Sequence, residues 1–140
     1  MKPLATWLFE YGEDHKNAVN RKIHRICVPL IFFTVIGLLY QIPVNGLLAD
    51  GISALAMGWY AMMGWKPCAI MLAQWMLARL LTIGLELMFP GAVVWILIGI
   101  FVVAWIGQFI GHNYEGRRPS FLTDLKYLLI GPLWVVLGDH

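Results

Sequence analysis

Residues 87–114, LMFPGAVVWILIGIFVVAWIGQFIGHNY, contain no Asp, Glu, Lys or Arg. An α-helix rises about 1.5 Å per residue, so roughly 20 apolar residues cross a bilayer's hydrocarbon core. The stretch exceeds that length and carries the turn signal Pro90-Gly91 near its start. Two further charge-free stretches, residues 26–49 and 51–65, lie upstream. The whole chain has 140 residues, 60% hydrophobic and 13% charged, where a soluble domain carries about a quarter charged residues. These features describe an integral membrane protein.

Turn signals divide the apolar part. Pro43 to Gly46, Gly64 to Pro67 and Pro90-Gly91 separate four expected spans, at about residues 26–43, 47–64, 68–89 and 91–111. The expected fold is an all-α polytopic helical bundle, a single membrane domain over residues 1–140. Leu125 to Gly138 is apolar, short and interrupted by Pro132. It reads as an interfacial or re-entrant helix rather than a fifth span. Residues 1–25 hold five basic and three acidic residues and no apolar core of a signal peptide.

Basic residues set the orientation. Residues 1–25 carry five Lys or Arg, residues 112–126 carry three, and the connecting turns carry only Lys66. With four spans every basic segment lies on one side, and the positive-inside rule makes that side cytoplasmic. The N-terminus, His15, His24, His112, Glu115, Arg117 and Arg118 then share one membrane face. A bacterial inner membrane, or the endoplasmic reticulum in a eukaryote, fits this pattern. The net charge of +2 is explained by orientation, and nothing calls for nucleic acid. Cys27 and Cys68 form no metal or disulfide pattern.

Two polar blocks interrupt the apolar chain. The first runs from Tyr11 through His15 and Asn20 to His24, and the second from Gln108 through His112 to Glu115, Arg117 and Arg118. In one unbroken helix His15 and His24, nine residues apart at about 100° each, would face opposite ways and lie about 13 Å apart. They bind one ion only if the helix breaks, and Asn17 or Asn20 could supply the break. Otherwise they are two interfacial histidines facing water and headgroups. His112 and Glu115, spaced i and i+3, share a helix face, with Gln108 one turn earlier. Such a stripe suits a metal or a proton relay, or a snorkelling helix end.

The ligand count narrows the chemistry. The chain has four histidines and His140 is its last residue, too few for a histidine-rich di-iron site. One ion held by three imidazoles would leave three positions open on octahedral Fe(II), room for a chelating 2-hydroxy carboxylate and O2. Zinc accepts the same three ligands. Arg79, within the third span, costs at least ~2.5 kcal/mol at bilayer depth unless paired or wetted. It either anchors a substrate carboxylate or an internal network, or pairs with Glu86 or backbone carbonyls to hold the bundle. Trp59, Tyr60, Trp65, Trp105 and Tyr114 read as an interfacial belt.

Taken together, Tyr11, His15, Asn20, His24 and Pro29, followed by Trp105, Gln108, Gly111, His112, Glu115, Arg118 and Pro119, resemble the membrane 2-hydroxy fatty acid dioxygenase family. Its members include the fungal phytosphingosine-degradation dioxygenases and their bacterial relatives. The resemblance spans about residues 7 to 137, and Asp124, Leu125, Gly131 and Pro132 fit it too. Ser120 and Cys27 depart from it, where alanine and glycine are usual. The resemblance implies Fe(II)-dependent α-oxidation, in which a long-chain 2-hydroxy fatty acid and O2 give a fatty acid one carbon shorter and CO2. It implies His15, His24 and His112 as iron ligands or their immediate neighbours, and Asn20, Gln108 and Tyr11 as their supports. Glu115 joins the three histidines as a catalytic candidate and a candidate fourth ligand. Apart from the resemblance, Arg117 and Arg118 could hold an anionic headgroup or the substrate carboxylate, or serve only as positive-inside anchors. Membrane lipids are expected partners, and a homo-oligomer stays open. Two other readings stand beside it: a non-enzymatic lipid- or partner-binding bundle, and a zinc-dependent membrane hydrolase.

Overall fold

The computed structural model describes residues 2–116 and 126–138. Among these, six helices and no strand occur: α1 (Leu4–Glu13), α2 (Ala18–Tyr40), α3 (Leu47–Met63), α4 (Trp65–Met88), α5 (Val93–Glu115) and α6 (Tyr127–Leu137). Arg117, Arg118, Pro119, Ser120, Asp124, Leu125 and His140 lie outside the described residues.

Helices α2, α4 and α5 are each long and apolar enough to cross a membrane. The expected span at 47–64 is a shorter apolar helix. At 17 residues α3 is about 26 Å long, under the ~30 Å of a hydrocarbon core, so the count of four spans is approximate. The helices carry apolar side chains outward: Leu55, Leu87, Trp95 and Val103 are 78%, 79%, 74% and 69% exposed. Such an outward apolar surface suits lipid rather than water.

The turns fall where the sequence places them. The α2–α3 turn puts Asn45 (φ 54°) and Gly46 (φ 76°) in the left-handed region, where Asn and Gly carry the least strain. Two prolines lie inside helices. Pro29 lies within α2 and Pro132 within α6. Each removes one backbone bond without ending its helix, as membrane helices tolerate.

The chain divides into two compact units, one of Met1–Leu30 with Val103–His140 and one of Ile31–Val102. Helices α2 and α5 contribute residues to both. In the first unit α6 packs against α1, burying Trp7 and Tyr11 on α1 and Ile130, Leu133 and Trp134 on α6. The short C-terminal helix, expected as interfacial or re-entrant, thus contributes buried residues to this unit's core.

In the second unit α3 packs against α4. A Cβ at Gly37 would stand 2.8 Å from Leu97 Cδ1 and 3.0 Å from Thr82 Oγ1. A small residue there lets neighbouring helices close up. Arg79 does not pair with Glu86. Its guanidinium carbon lies 3.7 Å from the centre of the Tyr40 ring, while Glu86 accepts a 2.9 Å bond from Gln41. Tyr60, expected in the interfacial belt, is 2% exposed.

The Gly37 contact yields a stability prediction. Gly37→Val overpacks the unit and lowers stability by about 1–3 kcal/mol. Gly99→Ala, with open space around its Cβ, leaves the thermal midpoint in detergent unchanged or raised. Equal midpoints for the two variants would refute the packing argument.

Candidate metal centre

Helix α1 ends at Glu13 and α2 begins at Ala18, so His15 sits in a short break and His24 on the second turn of α2. Asn17 makes the break. Its Oδ1 accepts backbone N–H bonds from Val19 (2.9 Å) and Asn20 (3.3 Å), capping orphan donors at the start of α2. The chain reverses direction enough for His15 to meet His24, nine residues on.

Helix α5 fixes that loop from the side. Glu115 Oε1 accepts from the Asn17 backbone N–H (2.8 Å) and from Asn20 Nδ2 (3.1 Å). Asn17 Nδ2 donates to the Tyr114 carbonyl at 3.2 Å, and Arg21 Nε donates to the His15 carbonyl at 2.7 Å. Bonds to charged groups are roughly twice as strong as neutral ones. Glu115 thus acts on the loop, and it stands outside the group of convergent ligand atoms.

Two glycines bring α5 to α2. A Cβ at Gly107 would stand 2.7 Å from Cys27 Sγ, and one at Gly111 would stand 2.5 Å from Asn20 Oδ1. They are spaced one turn apart on the face of α5 that meets α2, and His112 follows directly. The ring centroids of His15 and His24 lie 4.0 Å apart, and each lies 5.0 Å from that of His112. One ligand atom from each of the three comes within 4.8 Å of the others. All three side chains are buried, at 1%, 1% and 5% exposure.

The donor set fits a metal ion. His15 Nδ1 lies 2.6 Å from the Tyr11 carbonyl oxygen. A carbonyl only accepts, so Nδ1 carries the proton and Nε2 keeps its lone pair. That lone pair points at His24 Nε2, 2.7 Å away. Two nitrogens each about 2.1 Å from one ion and at right angles stand about 3 Å apart, close to this gap. Burial pushes His15 down to about 4, which keeps its imidazole in the neutral, ligating form.

Aromatic rings wall the histidines. Tyr11 stacks on His15 at 4.3 Å between centroids and 13° between planes. Trp134 of α6 lies 5.1 Å from His15 and 5.3 Å from Tyr11. Burial raises the Tyr11 phenol above its ordinary range, so it stays protonated. Trp134 is absent from the sequence reading, because a tryptophan in a short apolar helix carries no local sign of its partners. Gln108 and Asn20 are buried at 6% and 0% exposure. Gln108 Oε1 and Asn20 Oδ1 have no hydrogen-bond partner among the described residues. Buried acceptors without donors are costly, and a bound hydroxyl or water would satisfy them.

Gly111 provides the test of this construction. Gly111→Ala displaces Asn20 and loosens the loop that carries His15. The expected loss in Co(II) affinity is about 10- to 100-fold, the usual cost of losing a ligand's support, read from visible absorbance titration. An unchanged affinity would show that the loop is held by other means.

Comparison with known proteins places the chain. The family model described as "2-hydroxy-palmitic acid dioxygenase Mpo1-like" matches residues 1–138. The 2-hydroxy-palmitic acid dioxygenase MPO1 of Saccharomyces cerevisiae (strain ATCC 204508 / S288c) is 29% identical over 141 residues, covering 95% of this chain and 77% of the yeast protein. No solved structure matches it. The match runs through both histidine-bearing blocks and the aromatic helix that walls them, and the chain belongs to the Mpo1-like family.

Proposed function

We propose that this protein is a membrane non-heme iron dioxygenase that shortens 2-hydroxy fatty acids by one carbon. The carrying observation is the buried trio His15, His24 and His112, with one ligand atom each within 4.8 Å of the others. The name of the yeast relative, a 2-hydroxy-palmitic acid dioxygenase, supports the substrate class.

The three imidazoles would hold Fe(II) and leave positions open on it. When bound, the ion supplies the one-electron chemistry that lets O2 react with a closed-shell acid. The overall reaction, R–CH(OH)–COOH + O2 → R–COOH + CO2 + H2O, balances without any further reductant. The bond between C1 and C2 breaks, C2 is oxidised to the new carboxyl, and O2 takes all four electrons.

The chain's own residues orient and exclude. The Tyr11 carbonyl holds His15 with Nε2 free to ligate. Glu115, through Asn17 and Asn20, keeps the loop against α5, so we assign it positioning rather than ligation. Tyr11 and Trp134 shield the imidazoles from water. Asn20 and Gln108 offer acceptors to a substrate hydroxyl or a water. Arg117 and Arg118 are assigned the substrate carboxylate. The acyl tail would enter from the cytoplasmic leaflet, the side that the basic residues favour.

Substituting His15, His24 or His112 singly by Ala is expected to lower turnover at least ~100-fold, beyond the cost of losing an outer-shell support. The protein still inserts. O2 uptake and the chain-shortened acid report activity, and elemental analysis of anaerobically purified protein reports metal. Near-stoichiometric iron, lost in His112→Ala, is the expected result. Full activity in any one variant would remove that residue from the site. Stoichiometric zinc with O2-independent turnover would replace the reading with metal-assisted hydrolysis.

A further inference from the structure

The Ile31–Val102 unit holds a second polar constellation that the proposed oxidation does not use. Arg79 lies within α4, a helix apolar enough to cross a membrane. Its only close partner among the described residues is the Tyr40 ring, 3.7 Å from the guanidinium carbon. It makes no hydrogen bond or ion pair among the described residues, and its Nη1 is buried without an acceptor. A guanidinium carries five N–H donors in a planar fork, so most of its bonding capacity is unused.

The two nearby carboxylates are engaged elsewhere. Asp50 accepts from the Tyr40 hydroxyl, and Glu86 accepts from Gln41 Nε2. Tyr40, Gln41, Asp50, Trp75, Arg79 and Glu86 line one open cavity of about 610 Å³ beside the α2–α3 turn. That volume suits a small-molecule group, since such sites run roughly 300–1,000 Å³. Its lining charges are one guanidinium and two carboxylates. A simple anion would meet Arg79 but also both carboxylates, and a simple cation would leave Arg79 bare. A group with negative and positive charge a few bonds apart satisfies both. The surrounding helices are apolar outside, with Leu47, Leu80 and Leu87 at 71%, 66% and 79% exposure, so attached acyl chains have a surface to lie on.

We propose that this cavity binds the headgroup of a zwitterionic aminophospholipid, with its phosphate on Arg79 and its ammonium at Asp50 and Glu86. Bidentate Arg–phosphate pairing gives the orientation, and the Tyr40 ring beneath the guanidinium holds it by cation–π attraction. The site is independent of the histidine trio and of the reaction assigned to it.

The test is native mass spectrometry of the full-length protein, delipidated in detergent. The added probes are phosphatidylethanolamine, phosphatidylglycerol and inorganic phosphate. Phosphatidylethanolamine is expected to be retained about tenfold better than phosphatidylglycerol, the worth of one charge-assisted bond. Arg79→Gln is expected to lose that lipid and Arg79→Lys to keep part of it. The double variant Asp50→Asn, Glu86→Gln is expected to bind both lipids equally. Equal binding of the two lipids by the unaltered protein, or full retention in Arg79→Gln, overturns the proposal. Displacement of lipid by millimolar phosphate alone would make it a free-phosphate site and overturns it too. If Arg79→Gln does not fold, the carboxylate double variant still decides. His112→Ala is expected to bind lipid like the unaltered protein, so failure of the oxygenase reading and failure of this one are seen separately.

Discussion

Close approach of α2 and α5 is the constraint on which the buried histidine trio rests. At Gly107 and Gly111 a single added carbon would fall 2.7 Å from Cys27 Sγ and 2.5 Å from Asn20 Oδ1. No side chain larger than hydrogen fits there without displacing its neighbour. Lipid tails are as apolar as the helices, so association in a membrane depends on packing and polar contacts rather than on the hydrophobic effect. Two glycines one turn apart supply the packing. His112, the next residue after Gly111, is carried by the same contact toward His24.

The polar contacts complete it. Glu115 is one turn beyond His112 and reaches across to Asn17 and Asn20. One carboxylate thereby caps the start of α2 from outside while Asn17 caps it from within. The geometry of His15 follows largely from these bonds, because in the break between α1 and α2 its backbone keeps a single turn bond, from its N–H to the Gly12 carbonyl at 3.0 Å. Its backbone is pinned by Arg21 and its ring by the Tyr11 carbonyl. A side chain on a loop is imprecise unless its surroundings fix it, and Tyr11, Asn17, Asn20, Arg21 and Glu115 do so here.

Burial is the other half of the arrangement. Three imidazoles, an asparagine and a glutamine lie almost wholly out of solvent, a costly grouping unless each polar atom finds a partner. Some do, through Tyr11 and Glu115. The acceptors on Asn20 and Gln108 do not among the described residues. A stability argument has no use for such atoms, whereas a site that receives ligands does. Tyr11 and Trp134 cover the histidines from the α1 and α6 side, so an aromatic helix pair walls a polar cluster.

Much of this was legible in the residues themselves. Hydropathy and turn signals are local properties of composition, so the all-helical membrane fold and the positions of its turns could be read from them. The two polar blocks and the family they belong to were legible for the same reason. The need for a break between His15 and His24, with Asn17 as a candidate, followed from helical period alone. Partners were not legible, because they depend on which faces meet across about ninety residues of chain. Only the tertiary structure decided that the three imidazoles converge, that Glu115 holds a loop, and that Trp134 stands against His15. It also decided that the Arg79 guanidinium lies over the Tyr40 ring while Glu86 bonds to Gln41. Sequence determines what each helix must bury or expose, and packing selects which side chains spend that burial on one another.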